Sequence, residues 1–419
     1  MERAEGLVRS KFVATLLSNS PACQNVNRAS TLTMQHSTAF MFPSLGTIRL
    51  AKVEAIVFRV PVSEPVQTSF GTMYDRPAVL VRLEDSEGVV GWGEIWCNFP
   101  SVGAEHRARL LEATIAPILM EKEWKNVPDA FDEMSHRLRI LAIQCGEPGT
   151  IAQVIAGADM AMWDLVARRA HQPLWQLFGG QSEIGTYASG LSPTAPEKLA
   201  EQKRNEGYRA FKLKVGFGEN RDVENLRALR DLLGAETPLM VDANQAWDPV
   251  EAVRMSKRIA EFNPFWLEEP VAADTPLNHW RDIAQASPVA LAGGENMRGI
   301  ESFADAIDSG AFTVIQPDIG KWGGFTGCLS VGKAALAANR LFCPHWLGGG
   351  IGLVASMHLK AAIGGPGYVE VDSNPNPLRE LLAAPAYQPV NGKVTLSDSP
   401  GLGVEPDIAA TSEFVRNHR

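Results

Sequence analysis

From residue 184 onward the chain repeats one pattern. Strand-like runs begin at IGTYASG (184), FKLKVG (211), LMVDAN (239), FWLEEP (265), VALAGGEN (289), FTVIQPD (312), LFCPH (341) and YVEVD (368), 23 to 29 residues apart. Helix-period segments such as DVENLRALRDLLG and PVEAVRMSKRIAEF fill the gaps. Strands alternating with helices bury both faces of a parallel sheet. Eight such units of similar length predict a closed (β/α)8 barrel, an α/β fold. An open doubly wound sheet is the competing arrangement, but no GxGxxG opens its first helix.

The segment before the repeat reads differently. Ile48 to Pro100 is β in pattern, with VEAIVFRV, PAVLVRLED and a Gly-containing turn in EDSEGVVGWGE. Residues 103 to 145 are helical in period. The apolar helix IAQVIAGADMAMWDLVARRA follows, and Gly179 and Gly180 stop what comes after it. The expected organisation is an α+β capping domain over 46–150, the barrel over 151–377, and a segment over 378–419 that returns to the capping domain. Residues 1–45 are polar, lack either period and read as a disordered extension, with Met34 and Met41 as alternative starts. A chain beginning at Leu45 should therefore fold and turn over normally. A large drop in its melting temperature would show the extension to be docked.

Composition narrows the partners. A net charge of −9 argues against nucleic acid, which needs a basic surface. No apolar run approaches the ~18 residues of a membrane helix. Five scattered cysteines without a CxxC pair suit reduced thiols in a cytoplasm better than disulfides or zinc.

Chemistry in a barrel sits at the C-terminal ends of the strands. Read in order, those ends carry Lys212 and Lys214, Asp242 and Asn244, Glu268 and Glu269, Glu295 and Asn296, Asp318 and Lys321, His345, then Glu370 and Asp372. Period-two alternation sends both lysines of FKLKVG into the barrel mouth. Asp242, Glu268 and Glu295 end three consecutive strands, ~4.8 Å apart, so three carboxylates are expected around one point. A hard divalent cation relieves their repulsion, and an oxygen-only set favours Mg2+ or Mn2+. Asp318 stands beside His345 and would fix its tautomer. Lys214 and His345 then face one substrate from opposite sides, an arrangement for removing a proton next to a carboxylate. Lys214 must be partly neutral for this, and Lys212 and the cation are expected to lower its pKa.

With these residues in place, the chain resembles the enolase superfamily and, within it, the mandelate racemase-like group. KLK, VDAN, WLEEP, GGEN, QPDIGKWGG and PH occur in that family's order over about residues 48 to 410. The resemblance implies an α+β capping domain over the barrel and Mg2+ on Asp242, Glu268 and Glu295. It implies Lys214 as one base and the Asp318–His345 pair as the other. Lys212 and Glu370 would act near the substrate carboxylate. Capping loops would set specificity, which makes Phe70, Tyr74, Trp96 and Phe99 candidates for substrate contact, beside Asn244. Lys321 stands where the muconate-cycloisomerase-like group carries a second lysine, and it is alternatively placed to pair with Asp318. LFCPHWLGGGIG and VEVDSNPNPLR look most like acid-sugar dehydratases and galactarolactone cycloisomerase. The expected reaction is β-elimination from a small acid-sugar carboxylate or its lactone. Racemisation or epimerisation is the alternative, and a non-catalytic barrel the third reading. The family also implies a homo-oligomer, a dimer or an octamer.

Overall fold

A computed structural model describes residues 46–67, 71–384 and 387–418. The expectations for residues 1–45 and for Phe70 lie outside the described residues. Three antiparallel strands, β1 (Leu50–Gln67), β2 (Thr72–Asp85) and β3 (Val90–Ile95), form a sheet that the C-terminal strand Val415–Arg416 completes beside β1. Helix α1 (Gly103–Leu110) packs on it, α2 (Val127–Gln144) lies against the next helix, and that helix, α3 (Pro148–Arg169), covers the sheet. The close seating of α3 on β3 needs glycine. A Cβ at Gly91 or Gly93 would stand 2.2 Å from the Ala161 or Gly157 carbonyl oxygen. No helix among the described residues is long and apolar enough to cross a membrane.

All eight predicted runs are strands: β4 (Glu183–Leu191), β5 (Phe211–Lys214), β6 (Leu239–Asp242), β7 (Leu267–Glu268), β8 (Leu291–Gly293), β9 (Val314–Ile315), β10 (Leu341–Phe342) and β11 (Tyr368–Asp372). They are parallel, in the order β10-β9-β8-β7-β6-β5-β4-β11. At the seam the Glu370 N–H reaches the Pro344 carbonyl at 3.5 Å, which nearly closes the barrel. The helices between consecutive strands are α4 (Pro196–Asn205), α5 (Glu219–Leu233), α6 (Pro249–Ile259), α7 (Leu277–Ala286), α8 (Ile300–Ser309), α9 (Gly324–Ala337) and α10 (Gly350–Ile363). After β11 the chain instead makes the short helix Pro377–Leu381 and pairs Lys393–Thr395 antiparallel with β4.

Alternation along the strands divides the core. Outward residues such as Leu213, Val241, Leu267 and Ile315 join the large core under the helices. Inward residues Tyr187, Met240, Trp266, Ala292, Val314 and Leu341 form a separate apolar plug inside the barrel. Ser189, Asp242, Glu268 and Gln316 stand two residues beyond Tyr187, Met240, Trp266 and Val314 of that plug, on the same inward face. Burying Met240, Val314 and Leu341 in that plug is worth ~1.5–3 kcal/mol each.

Candidate active site

The register of the short strands sets the site. Lys214 pairs with Asp242 across β5 and β6, and Asp242 with Glu268 across β6 and β7. Lys214, Asn244, Glu295, Lys321, His345 and Glu370 line one cavity of about 130 Å3 at the barrel mouth, with Trp96 and Phe99 of the capping domain above. Lys212, Asp242 and Glu268 lie beneath it, essentially without solvent contact.

Asp242, Glu268, Glu295, Asp318 and Glu370 are each drawn onto a cation. The Lys212 ammonium stands 2.5 Å from Glu268, 2.9 Å from Glu370 and 3.7 Å from Asp242. Lys214 donates to Asp242 at 2.5 Å and to Asn244 at 3.0 Å. Lys321 donates to Glu295 and Asn296, both at 3.1 Å, and its ammonium lies 4.8 Å above the Trp96 ring. The His345 Nδ1 stands 2.6 Å from Asp318 and its Nε2 2.7 Å from Glu295. The Gly320 and Lys321 N–H groups also donate to Asp318, which orients it toward the imidazole.

Several sequence expectations change here. Lys321 does not place its ammonium on Asp318; Glu295 and Asn296 take it, because the Asp318 carboxylate already holds His345 and two backbone donors. Tyr74 is 73% exposed and does not line the cavity. Strand alternation explains it: Met73 faces inward at that point of β2, so Tyr74 faces out. Lys212 is fully buried and lies under the cavity, not on its wall. Lys214 is held above the ordinary lysine range, not lowered. Burial opposes its charge and Lys212 repels it, but the Asp242 carboxylate outweighs both.

Other residues of the site carried no readable signal. Gln316 donates to Glu268 at 2.7 Å, and the Trp266 indole donates to the same carboxylate at 3.1 Å. Ser189, at the end of β4, donates to Glu370. From the capping domain, buried Arg76 donates to Asp372 at 2.6 Å. A lone Gln, Ser or Arg in a strand looks the same in sequence whether it meets a carboxylate or water.

The donor set fits a divalent cation. Around the cavity six buried carboxylates (Asp242, Glu268, Glu269, Glu295, Asp318 and Glu370) face Lys212, Lys214, Lys321 and His345, which leaves negative charge in excess. Burial first, and neighbouring carboxylates after it, push Glu268 up to about 7 and Glu269 well above its usual range. Among the described residues no three carboxylates converge as a ligand cluster: Asp242, Glu268, Glu295, Asp318 and Glu370 are turned onto a lysine or histidine, and Glu269 accepts from the Asn296 amide.

Comparison with known proteins now decides the lineage. Residues 52–179 match the mandelate racemase / muconate lactonizing enzyme N-terminal domain, and residues 195–410 match the enolase C-terminal domain-like family. The chain belongs to this family of the enolase superfamily. This enolase-superfamily enzyme is 31% identical over 368 residues to D-galactarolactone cycloisomerase of Agrobacterium fabrum, covering 81% of this chain and 92% of that one. It is 27% identical over 334 residues to arabinonate dehydratase of Saccharolobus solfataricus, covering 78% and 87%. Among solved structures, a mandelate racemase/muconate lactonizing enzyme from Bordetella bronchiseptica aligns with a TM-score of 0.84 at 52% identity, over 88% of this chain and 99% of that one. A racemase from Streptomyces coelicolor with bound magnesium aligns at 0.80 and 29%, over 88% and 100%.

One buried acid of this superfamily member gives a direct pH prediction. Burial pushes Glu94 up to about 7 from 4.5, with Asp318 adding repulsion and the Gly349 and Gly352 N–H groups opposing. Between those values the folded chain holds a proton that the unfolded chain has lost, so this group's contribution to stability falls as pH rises from 4.5 to 7. Glu94→Gln removes the dependence. The stability of the parent relative to the variant should fall by on the order of 3 kcal/mol between pH 5 and 8, read from urea melts. A difference that is flat with pH would contradict it.

Proposed function

We propose that the protein removes the proton α to a carboxylate and carries the resulting enediolate to β-elimination on an acid sugar or its lactone. The observation that carries this reading is one cavity lined by Lys214 from β5 and by the Asp318-oriented His345 from β10, with buried carboxylates between them. In strand order these bases are three strands apart one way around the barrel and five the other. They therefore approach a bound substrate from different walls.

Mg2+, or Mn2+ in its place, is proposed on Asp242, Glu268 and Glu295. When bound, such a cation neutralises the substrate carboxylate and the enediolate charge. One base takes the α proton in its neutral form, so Lys214, held charged by Asp242, must first give up its own proton; the electron pair moves into the enediolate and then expels the β oxygen. The opposite base, in its protonated form, delivers a proton to that leaving oxygen. Ser189, Ser192, Asn244 and Asn374 on the cavity wall offer hydrogen bonds to a polyhydroxy chain. Trp96 and Phe99 cover the mouth and keep water from the intermediate. The names of the cycloisomerase and dehydratase relatives support the same class.

Racemisation or epimerisation is the second reading, favoured by the two opposed bases. A screen of acid sugars and lactones with Mg2+ in deuterated water separates the two. Elimination yields a dehydrated or ring-opened product. Racemisation yields a labelled stereoisomer of unchanged mass apart from deuterium. Absence of both exchange and product across the screen would defeat the proposal.

A further inference from the structure

We infer that Glu94 and Asp159, two carboxylates from outside the barrel, are positioning residues for the Asp318–His345 pair. The inference rests on reading that pair as the second base. Glu94 belongs to β3 and is 1% exposed. It accepts the Gly349 N–H at 2.5 Å and the Gly352 N–H at 2.9 Å. Those groups open α10, the helix entered directly from the His345 loop. Asp159 belongs to α3 and is fully buried. It accepts the Thr326 N–H at 3.1 Å and the Thr326 hydroxyl. Thr326 opens α9, the helix entered from the Asp318 loop. The two halves of the pair thus each precede a helix whose first turn is held by a carboxylate of another layer. Free N–H groups and the helix dipole make that turn a favourable seat for an anion.

Glycines make the approach possible. A Cβ at Gly349 would lie 2.6 Å from a Glu94 oxygen, and one at Gly324 would lie 2.2 Å from an Asp159 oxygen. The intervening loop is pinned further by Asn98 on the Leu347 carbonyl and Asn376 on the Gly348 carbonyl, both at 2.7 Å. Trp346 fills the space over Gly320, Gly348 and Gly352, so the loops after β9 and β10 pack as one unit. His345 meets Asp318 at 2.6 Å, a separation that a small loop shift would break. The capping layer therefore sets the geometry of the pair without touching substrate.

The test needs no substrate, so it stands apart from the fate of the proposed reaction. The proton between His345 Nδ1 and Asp318 gives a downfield resonance in the full chain, assigned by its loss in His345→Asn. In Glu94→Gln the amide oxygen can keep only one of the two backbone donors and the amide N–H group opposes the other, so the resonance should broaden or disappear while cooperative unfolding is retained. Gly349→Ala keeps the carboxylate and pushes the loop away from it with one methyl; it should act in the same way. It decides the matter if Glu94→Gln fails to fold. Asp159→Asn should act in the same direction through Asp318. An unmoved resonance in folded Glu94→Gln and Gly349→Ala overturns the inference. So does a parent protein with no such resonance, since the pair to be positioned would not be formed.

Discussion

His345→Asn and Lys214→Ala should each abolish exchange of the substrate's α hydrogen on one face, and the faces should differ. Removal of a general base costs on the order of 10²- to 10⁴-fold, so the loss is easily measured in deuterated water. The expectation comes from the wall positions of the two groups. Lys214 reaches the cavity from β5 beside Asn244, and His345 reaches it from β10 with its ring fixed by Asp318. Each single variant should still exchange the stereoisomer that presents its proton to the surviving base. Retention of exchange on the same face in both variants would refute the two-base arrangement. Loss of the second exchange in Lys321→Ala but not in His345→Asn would transfer the role to Lys321. The position of Lys321 argues against that outcome, since Glu295, Asn296 and the Trp96 ring already occupy its ammonium.

Glu268→Gln should lose divalent-cation binding and turnover together. Changing a residue outside the ligand set typically costs 10- to 100-fold in metal affinity or activity, so removal of a charged ligand should cost more than about 100-fold. Binding can be read directly by Mn2+ titration, and turnover before and after chelation. The variant also disturbs the ion pair with Lys212, so both should be measured well below its melting temperature. Lys212 keeps Glu370 at 2.9 Å and Asp242 at 3.7 Å, which argues that the barrel survives the change. Full turnover of the parent protein after exhaustive chelation would remove the cation from the mechanism.

Much of this architecture was legible in the linear chain, and the reason is local. A strand–helix repeat of even length leaves few ways to bury both faces of a sheet, and chemistry in a barrel collects at strand ends. FKLKVG, VDAN, WLEEP and GGEN in order therefore place Lys214, Asp242, Glu268 and Glu295 at the same end of the barrel, Lys214 and Glu295 on the cavity wall and Asp242 and Glu268 beneath it. The same alternation that sent Lys212 inward could not set its depth. That depth follows from where Tyr187 of β4 packs, its ring centroid 5.3 Å from the Lys212 ammonium.

Pairings between distant segments were not legible. Which carboxylate takes which lysine depends on side-chain reach across neighbouring strands, and Asp242, not Lys212, governs Lys214 for that reason. Tyr74 looked like a lid residue by position, but its place in the β2 alternation turned it to solvent. Glu94 is separated from Gly349 by 255 residues, and Asp159 from Thr326 by 167. The strand repeat and its polar ends are written in short-range order, so the sequence by itself determined the barrel and the rim residues. Charge pairing and loop anchoring depend on contacts between segments far apart in the chain, and only the folded chain decided those.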